Sequence, residues 1–462
     1  MAVHRSLWLQ QSLSEGVDAA PLAGRARADV AIIGGGYVGL WTALRIKELE
    51  PSCDVAILEK DICGGGASGR NGGFLLSWWP KFPSMIKSFG ERNALWLTQA
   101  SQSAISEIGA FCADNRIDAD FIQHGWLWTA TSKVQLNGWE PVVSASERLG
   151  LAAFQRLQPS EVARRTGSPM HRGGVLERDA ATVQPAALVR GMRDVALRRG
   201  IRVYEHTQMQ RFTRERPVVV NTTNGELTAD RVVVAMNAWS VGLPELRRSI
   251  AVISSDIVAT APIPERLAQI GWTGGECITD SQMMICYYRT TRDGRIAFGK
   301  GGWGIVFADH IGPNIDRDLN RARLVEADFR RYYPMLEDVP ITDDWCGPID
   351  RSTDGLPLIG RLGGRDHIYY GIGWSGNGVG PSYVGGRILA SLALARKDEW
   401  SQCALVDRPH RLFPPEPIRF VGAQIVREAV IRKERAENAD RAPSWLARQF
   451  AKLAPPGPED KG

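Results

Sequence analysis

Residues 29–60 read DVAIIGGGYVGLWTALRIKELEPSCDVAILEK. Asp29–Ile33 is a short β-branched run, and three glycines follow it at once. Leu40, Ala43 and Leu44 then recur at helical spacing, Pro51-Ser52 breaks that pattern, and Val55–Leu58 is a second apolar run. The reading is strand, tight turn, helix, strand. Gly34, Gly36 and Gly39 fit G-x-G-x-x-G between the first strand and the helix, and an acidic residue, Glu59, stands twenty positions after Gly39. In such a unit the glycines make the turn, let backbone approach a pyrophosphate and pack helix on strand, while the helix start offers free N–H groups. Glu59 would accept hydrogen bonds from ribose hydroxyls. The motif indicates a dinucleotide site and does not by itself choose the dinucleotide.

A second glycine cluster, CGGGASGRNGG at 63–73, holds Ser68, Arg70, Asn71 and Gly72. It reads as a backbone-rich nest with one guanidinium, suited to an extended anionic ligand. From about 90 to 150 the pattern is helical and amphipathic, interrupted by GWLWT (125–129), whose Trp126 and Trp128 share a face by the period of two. A helix is expected at 186–199, a strand in IRVYEH after Gly200, and a hairpin arm turning at Asn224-Gly225 into the buried run RVVVAM. Residues 250–340 alternate with turn signals, as in MMICYYR before Asp293-Gly294 and RIAFG after it, and predict an antiparallel sheet. Residues 350–395 repeat the order strand, glycine turn, helix.

The fold class expected is α/β: a Rossmann-type nucleotide-binding domain (1–90, 150–248 and 341–400) interleaved with an antiparallel-sheet α+β substrate domain (91–149 and 249–340). Residues 401–462 form a C-terminal extension, whose segment around Trp445 and Phe450 is expected to dock on its own domain and whose end, PPGPEDKG, is expected to fray.

At 462 residues, with 23% charged and 44% hydrophobic residues, the chain is an ordinary globular protein and not collagen-like, coiled-coil or wholly disordered. A net charge of +5 over this length gives no concentrated basic stripe, so nucleic acid is not indicated. The seven cysteines are scattered without a Cys-x-x-Cys pair and the seven histidines show no ligand spacing, so no disulfide framework and no metal site are expected. The start, MAVHRSLWLQQSLSEG, lacks the apolar core of a signal peptide, and there is no apolar run of the ~20 residues a membrane span needs. A cytoplasmic location is the expectation.

Five stretches in order, DVAIIGGGYVGL, LEKDICGGGASGRNGG, VVVAMNAWS, DGLPLIG and GIGWSGNGVGPSYVGGRILA, resemble the FAD-dependent amine and amino-acid oxidoreductases of the D-amino-acid oxidase superfamily. The resemblance leaves 90–170 and 250–340 weakly covered. It implies a glutathione-reductase-like FAD domain, with the diphosphate at Gly34, Gly36 and Gly39, and the adenosine ribose on Glu59, next to Lys60. It places the pyrophosphate or flavin edge near Ser68, Arg70, Asn71 and Gly72, and adenine against the Met209 backbone. Ala235 and Asn237 match the later strand end, and Gly373, Gly376, Asn377, Gly378 and Val379 match the turn and helix start at the pyrimidine side of the flavin.

The reaction implied is hydride removal from an amine-bearing carbon, giving an imine that water hydrolyses, with oxygen or an electron carrier as the acceptor. Relatives that oxidise α-amino acids carry an Arg two residues after a Trp-x-Gly, where it clamps the substrate carboxylate. Here the stretch runs Trp345-Cys346-Gly347-Pro348-Ile349-Asp350, so Ile349 holds that position and an amine substrate is favoured. Tyr287, Arg289, Lys300, Arg351 and Trp374 are the pocket candidates, with alternation putting Tyr287 and Arg289 on one side. FAD is expected to be noncovalent, since the early loop has no His and Cys346 is out of register with the tethering position; Cys346 reads as a buried apolar residue. Two other readings stand beside this one: an α-amino-acid oxidase using Arg351 or Arg289, and a flavin-carrying subunit that only relays electrons.

Overall fold

The computed structural model describes residues 4–13, 19–308, 310–312, 315–457 and 459–461. Its strands are numbered β1–β18 in chain order. The first sheet runs β17 (Leu358–Arg361), β18 (Ile368–Ile372), β11 (Gly225–Val234), β1 (Gly24–Ile33), β2 (Val55–Leu58) and β8 (Arg202–Tyr204), with β9 (Met209–Phe212) and β10 (Val218–Thr222) branching from β11. β18, β11, β1, β2 and β8 are parallel neighbours, with Ile33 of β1 level with Val234 on one side and Leu58 on the other. Their near-continuous apolar character follows from burial on both faces. Val30, Ile32, Val55 and Ile57 pack on one face with the helices Tyr37–Leu49 and Pro381–Ala393, while Ala31, Ile33, Ala56 and Leu58 pack on the other. Gly386 lets the second of these helices lie against Trp41 of the first. The turn after Ile33 therefore opens at the carboxyl edge of the sheet, beside β11, where ligands of open α/β sheets bind.

The second sheet runs β16 (Ile341–Arg351), β12 (Ala251–Thr260), β15 (Ile296–Ile305), β14 (Cys286–Thr290), β13 (Cys277–Thr279), β4 (Trp126–Ala130), β6 (Gly173–Glu177) and β5 (Gln155–Leu157). All its pairs are antiparallel except β13 with β4. Trp126 and Trp128 share a face as expected, their rings stacked with centroids 5.5 Å apart. A two-stranded ribbon, β3 (Phe74–Leu75) with β7 (Ala181–Thr182), ties the early glycine loop to the segment before the helix Pro185–Arg198.

The expected boundaries need correction at four places. Residues 155–157, 173–177 and 341–351 were assigned by pattern to the first domain and belong to the second sheet. Their partners are remote, as in Trp128 with Val175 and Ser254 with Pro348, and short-range pattern carries no information on such pairing. The helix Glu91–Asp114, expected with the substrate domain, joins the core beneath the first sheet through Ala94, Leu97 and Ile105.

The C-terminal extension docks through the helices Ile418–Asn438 and Trp445–Ala451. Its end is not frayed among the described residues. Asp460 pairs with Lys81 at 2.7 Å and accepts the Ser84 N–H at 2.8 Å, and Lys461 donates to the Gln282 carbonyl at 2.5 Å. Among the described residues no helix is long and apolar enough to cross a membrane.

Candidate functional site

A single cavity of about 1210 Å³ begins at the Gly34 turn and ends against the C-terminal segment. That exceeds the ~300–1,000 Å³ of pockets for drug-sized ligands and suits a long dinucleotide with a small substrate. Both glycine-bearing turns, Gly34–Gly36 and Gly376–Gly378, face into it.

At the first end the backbone itself is the binding surface. A side chain at Gly34, whose φ is +116°, would overlap the Ala235 carbonyl, and one at Gly39 would overlap the Gly34 carbonyl. Gly39 thus packs helix on strand and does not reach the cavity. Gly36 is the helix N-cap without a capping side chain, and Ser68 Oγ accepts the next N–H, that of Tyr37, at 3.0 Å. Glu59 lines the cavity and braces the turn: its carboxylate accepts the Gly35 N–H at 2.7 Å and the Asp61 N–H at 3.0 Å. Burial raises its pKa against those two donors. Lys60 also lines the cavity, its ammonium 3.5 Å from the centroid of the Trp239 ring. Met209 lines the cavity together with Thr207 and Gln208.

The early loop is more self-contained than its composition indicates. Asn71 donates to the Ala67 and Ser68 carbonyls and accepts the Gly73 N–H at 2.8 Å, so its side chain shapes the loop. Arg70 lines the cavity with Ser68, Asn71 and Gly72, but its guanidinium is committed within the protein. Its guanidinium donates to the carbonyls of Gly65 (2.9 Å), His4 (3.0 Å) and Cys346 (3.3 Å) and pairs with Asp316 at 3.2 Å. It stitches the loop to the chain start and to β16 and is not a free clamp for phosphate. Gly72 leaves room for the Tyr287 ring.

Ala235, packed against the Gly34 turn, and Asn237 also line the cavity. Asn237 sits at φ 48°, and its buried Oδ1 has no hydrogen-bond partner in the protein, as expected of a group kept for a ligand. Gly376, Asn377, Gly378 and Val379 line the cavity as well. Asn377 donates to the Ser77 carbonyl at 3.1 Å, which pins the turn. Gly373 does not line the cavity; its N–H, with that of Trp374, is held by the Asp350 carboxylate at 2.6 and 3.0 Å. Burial pushes Asp350 up to about 7. Asp350 is the residue that sequence reasoning missed here, although it stands next to Ile349 in the stretch singled out for the clamp.

Of the pocket candidates, Tyr287, Arg351 and Trp374 line the cavity, and Arg289 and Lys300 do not. Tyr287 lies across Gly299 on the neighbouring strand and its hydroxyl meets Ser255 Oγ at 2.6 Å. Burial raises the Tyr287 pKa, so the phenol stays neutral. Arg289 is buried at the junction of β3 and β7, donating to the Val183 carbonyl at 2.6 Å, with Asp120 at 3.6 Å. The strand ends there and its last side chains no longer share the cavity. Lys300 is buried between Asp328 (3.0 Å) and Glu434 (3.8 Å), where it anchors the C-terminal helix. Trp374 keeps its indole against Gly385 of the following helix, so it is largely core. Cys346 is not a plain apolar filler: its Sγ lies 2.7 Å from Asp256 Oδ1 and accepts from Arg321 at 3.4 Å.

A parallel Rossmann-type sheet whose glycine turn opens into a long cavity shared with an antiparallel sheet defines a dinucleotide-binding protein. The family profile described as FAD dependent oxidoreductase (DAO) matches residues 29–392. The chain belongs to that family, and its cofactor is FAD. It is 30% identical over 389 residues to γ-glutamylputrescine oxidoreductase of Escherichia coli (strain K12), covering 84% of this chain and 88% of the relative. It is 24% identical over 362 residues to glycine oxidase of Pseudomonas putida, covering 76% and 90%. The crystal structure of glycine oxidase from Geobacillus kaustophilus superposes with a TM-score of 0.69 at 21% identity, covering 83% of this chain and 99% of that one.

Proposed function

We propose that this enzyme oxidises a primary or secondary amine, the amine-bearing carbon losing hydride and the resulting imine hydrolysing to a carbonyl compound and ammonia or a smaller amine. Bound FAD supplies the hydride acceptor. Gly34, Gly36 and Glu59 would hold its diphosphate and ribose end, Asn237 and the 376–379 turn its ring end. These residues fit it through a helix start with a glycine N-cap, a side-chain-free turn and one unpaired buried acceptor.

The observation that carries the amine reading is Ile349. It lines the cavity, and its Cδ1 comes within 3.5 Å of where a side chain on Gly376 would begin. An isoleucine beside that turn makes no hydrogen bond to a carboxylate, so an α-carboxylate next to the reacting carbon would be buried without a donor there. The Tyr287 hydroxyl, neutral and anchored by Ser255, offers a hydrogen-bonding group that does not favour the ammonium form over the neutral amine.

The same reading holds FAD noncovalently. Cys346 is bonded into the second sheet away from the cavity, and the early loop presents Asn71 and no histidine. Electrons pass on to oxygen or to a carrier, and the enzyme works in the cytoplasm, in keeping with seven unpaired cysteines. The test is anaerobic mixing of the yellow protein with amines, glycine, sarcosine and D-amino acids. Bleaching by alkylamines or polyamine derivatives is expected; bleaching by α-amino acids alone would overturn the reading. Acid precipitation should leave the colour in the supernatant.

A further inference from the structure

Arg351 stands out because, among the described residues, no carboxylate reaches ion-pair distance of it, although Glu459 lies near enough to favour its charged form. It lies on β16 two residues after Ile349, so the two side chains share a face, and the strand rise puts it roughly 7 Å further along the cavity wall. Its Nη2 donates to the carbonyls of Pro456 at 3.0 Å and Pro455 at 3.4 Å. Among the described residues its Nε and Nη1 have no partner, and it forms no ion pair. The carboxylates nearby are already matched: Glu459 pairs with Lys461 at 3.0 Å and Asp460 with Lys81 at 2.7 Å. Burial lowers the Arg351 pKa only to about 10, so the guanidinium is charged at neutral pH. A partly buried cation with two donor groups open on a cavity is a receptor for an anion, and a planar guanidinium favours a carboxylate.

Resting on the amine reading, we propose that Arg351, braced by the carbonyls of Pro455 and Pro456, receives a carboxylate that the substrate carries several bonds away from the reacting carbon. The position beside that carbon is apolar Ile349, and the cation is displaced from it along the strand. An α-amino acid cannot reach both places, whereas an ω-amino acid or a larger amine with a remote acid group can. Residues 455 and 456 lie beyond the stretch matched by the family profile, so this brace belongs to the C-terminal extension of this chain.

The test uses the full-length FAD-loaded protein, Arg351→Met, Arg351→Lys and a chain ending at Ala454. Anaerobic flavin bleaching is followed with 6-aminohexanoate, hexylamine and glycine, and glutarate, which cannot be oxidised, is titrated against the visible flavin spectrum. In the unaltered protein 6-aminohexanoate should be preferred to hexylamine. Arg351→Met should lower that preference by about 30-fold, mostly through KM, and weaken glutarate by a similar factor, as expected for a lost charge-assisted pair. Arg351→Lys should recover part of both, and the shortened chain should lose part of both. A preference and a glutarate affinity that stay within about twofold in Arg351→Met would overturn the assignment. If no amine bleaches the flavin but glutarate binding still depends on Arg351, the amine reading fails and this assignment stands. Bleaching by amines without any preference for a remote acid group has the opposite meaning.

Discussion

The two ends of the cavity are made differently. Around Gly34 the wall is mostly backbone: glycines whose side chains would strike carbonyls, a helix start whose N-cap residue has no side chain, and a carboxylate, Glu59, spent on holding N–H groups in place. Around Arg351 the wall is side chains from β14 and β16 closed by the last residues of the chain. A ligand read by backbone is read by shape and charge that many sequences can supply, so the first end is suited to one invariant cofactor. A ligand read by Tyr287, Ile349 and Arg351 changes with each substitution, so the second end sets substrate choice.

The contrast can be broken most severely at a residue belonging to neither end. Lys300→Ala would leave the buried Glu434 without its cation, Asp328 keeping only Arg331, and should lower stability by about 3–5 kcal/mol, read by denaturant unfolding. KM for the amine should stay within about twofold, and a large KM change would return Lys300 to the substrate cavity. Next in size is Gly39→Ala. Its methyl group overlaps the Gly34 carbonyl, and overpacking of this kind costs up to about 3 kcal/mol, expressed as loss of FAD in the ratio of visible to ultraviolet absorbance. Discrimination among amines should not change. Glu59→Ala unpairs two N–H groups of the turn and should weaken FAD retention by about 2 kcal/mol, whereas Glu161→Ala, on an exposed helix beside Arg164 and Arg165, should not. Equal retention in the two would contradict the role given to Glu59.

The smallest effect concerns pH. Asp350 has a folded pKa of about 7, above the ordinary carboxylate value, so the folded state holds the proton more tightly than the unfolded chain. Its contribution to stability is therefore full below about pH 4 and is lost as pH rises through about 7. In Asp350→Asn the fall in Tm between those pH values should be shallower than in the unaltered protein. An unchanged slope would mean that Asp350 is ionised throughout the range.

The cofactor end was legible because its chemistry is local. Gly34 to Glu59 is one strand, turn, helix and strand, and each residue's duty follows from its offset to its neighbours. The substrate end was legible only in part. Ile349, singled out by its fixed offset from Trp345, does line the cavity. Arg70, Arg289 and Lys300 looked available because their partners, among them His4, Val183 and Glu434, are distant in sequence. The second sheet's outer strands were misassigned for the same reason, and so was the tail, whose Asp460 finds Lys81 379 positions away. Charge in a sequence marks a need for a partner and does not say whether the fold has already met it.

Tyr287 packs across Gly299, and any side chain on Gly299 would occupy the space of its phenol ring. Bulk at these two positions can therefore be traded but not added. In a directed-evolution library, enlarging the residue at 299 should survive only alongside a smaller one at 287, so new specificities on this wall are reached by paired changes and are invisible to one-at-a-time scanning.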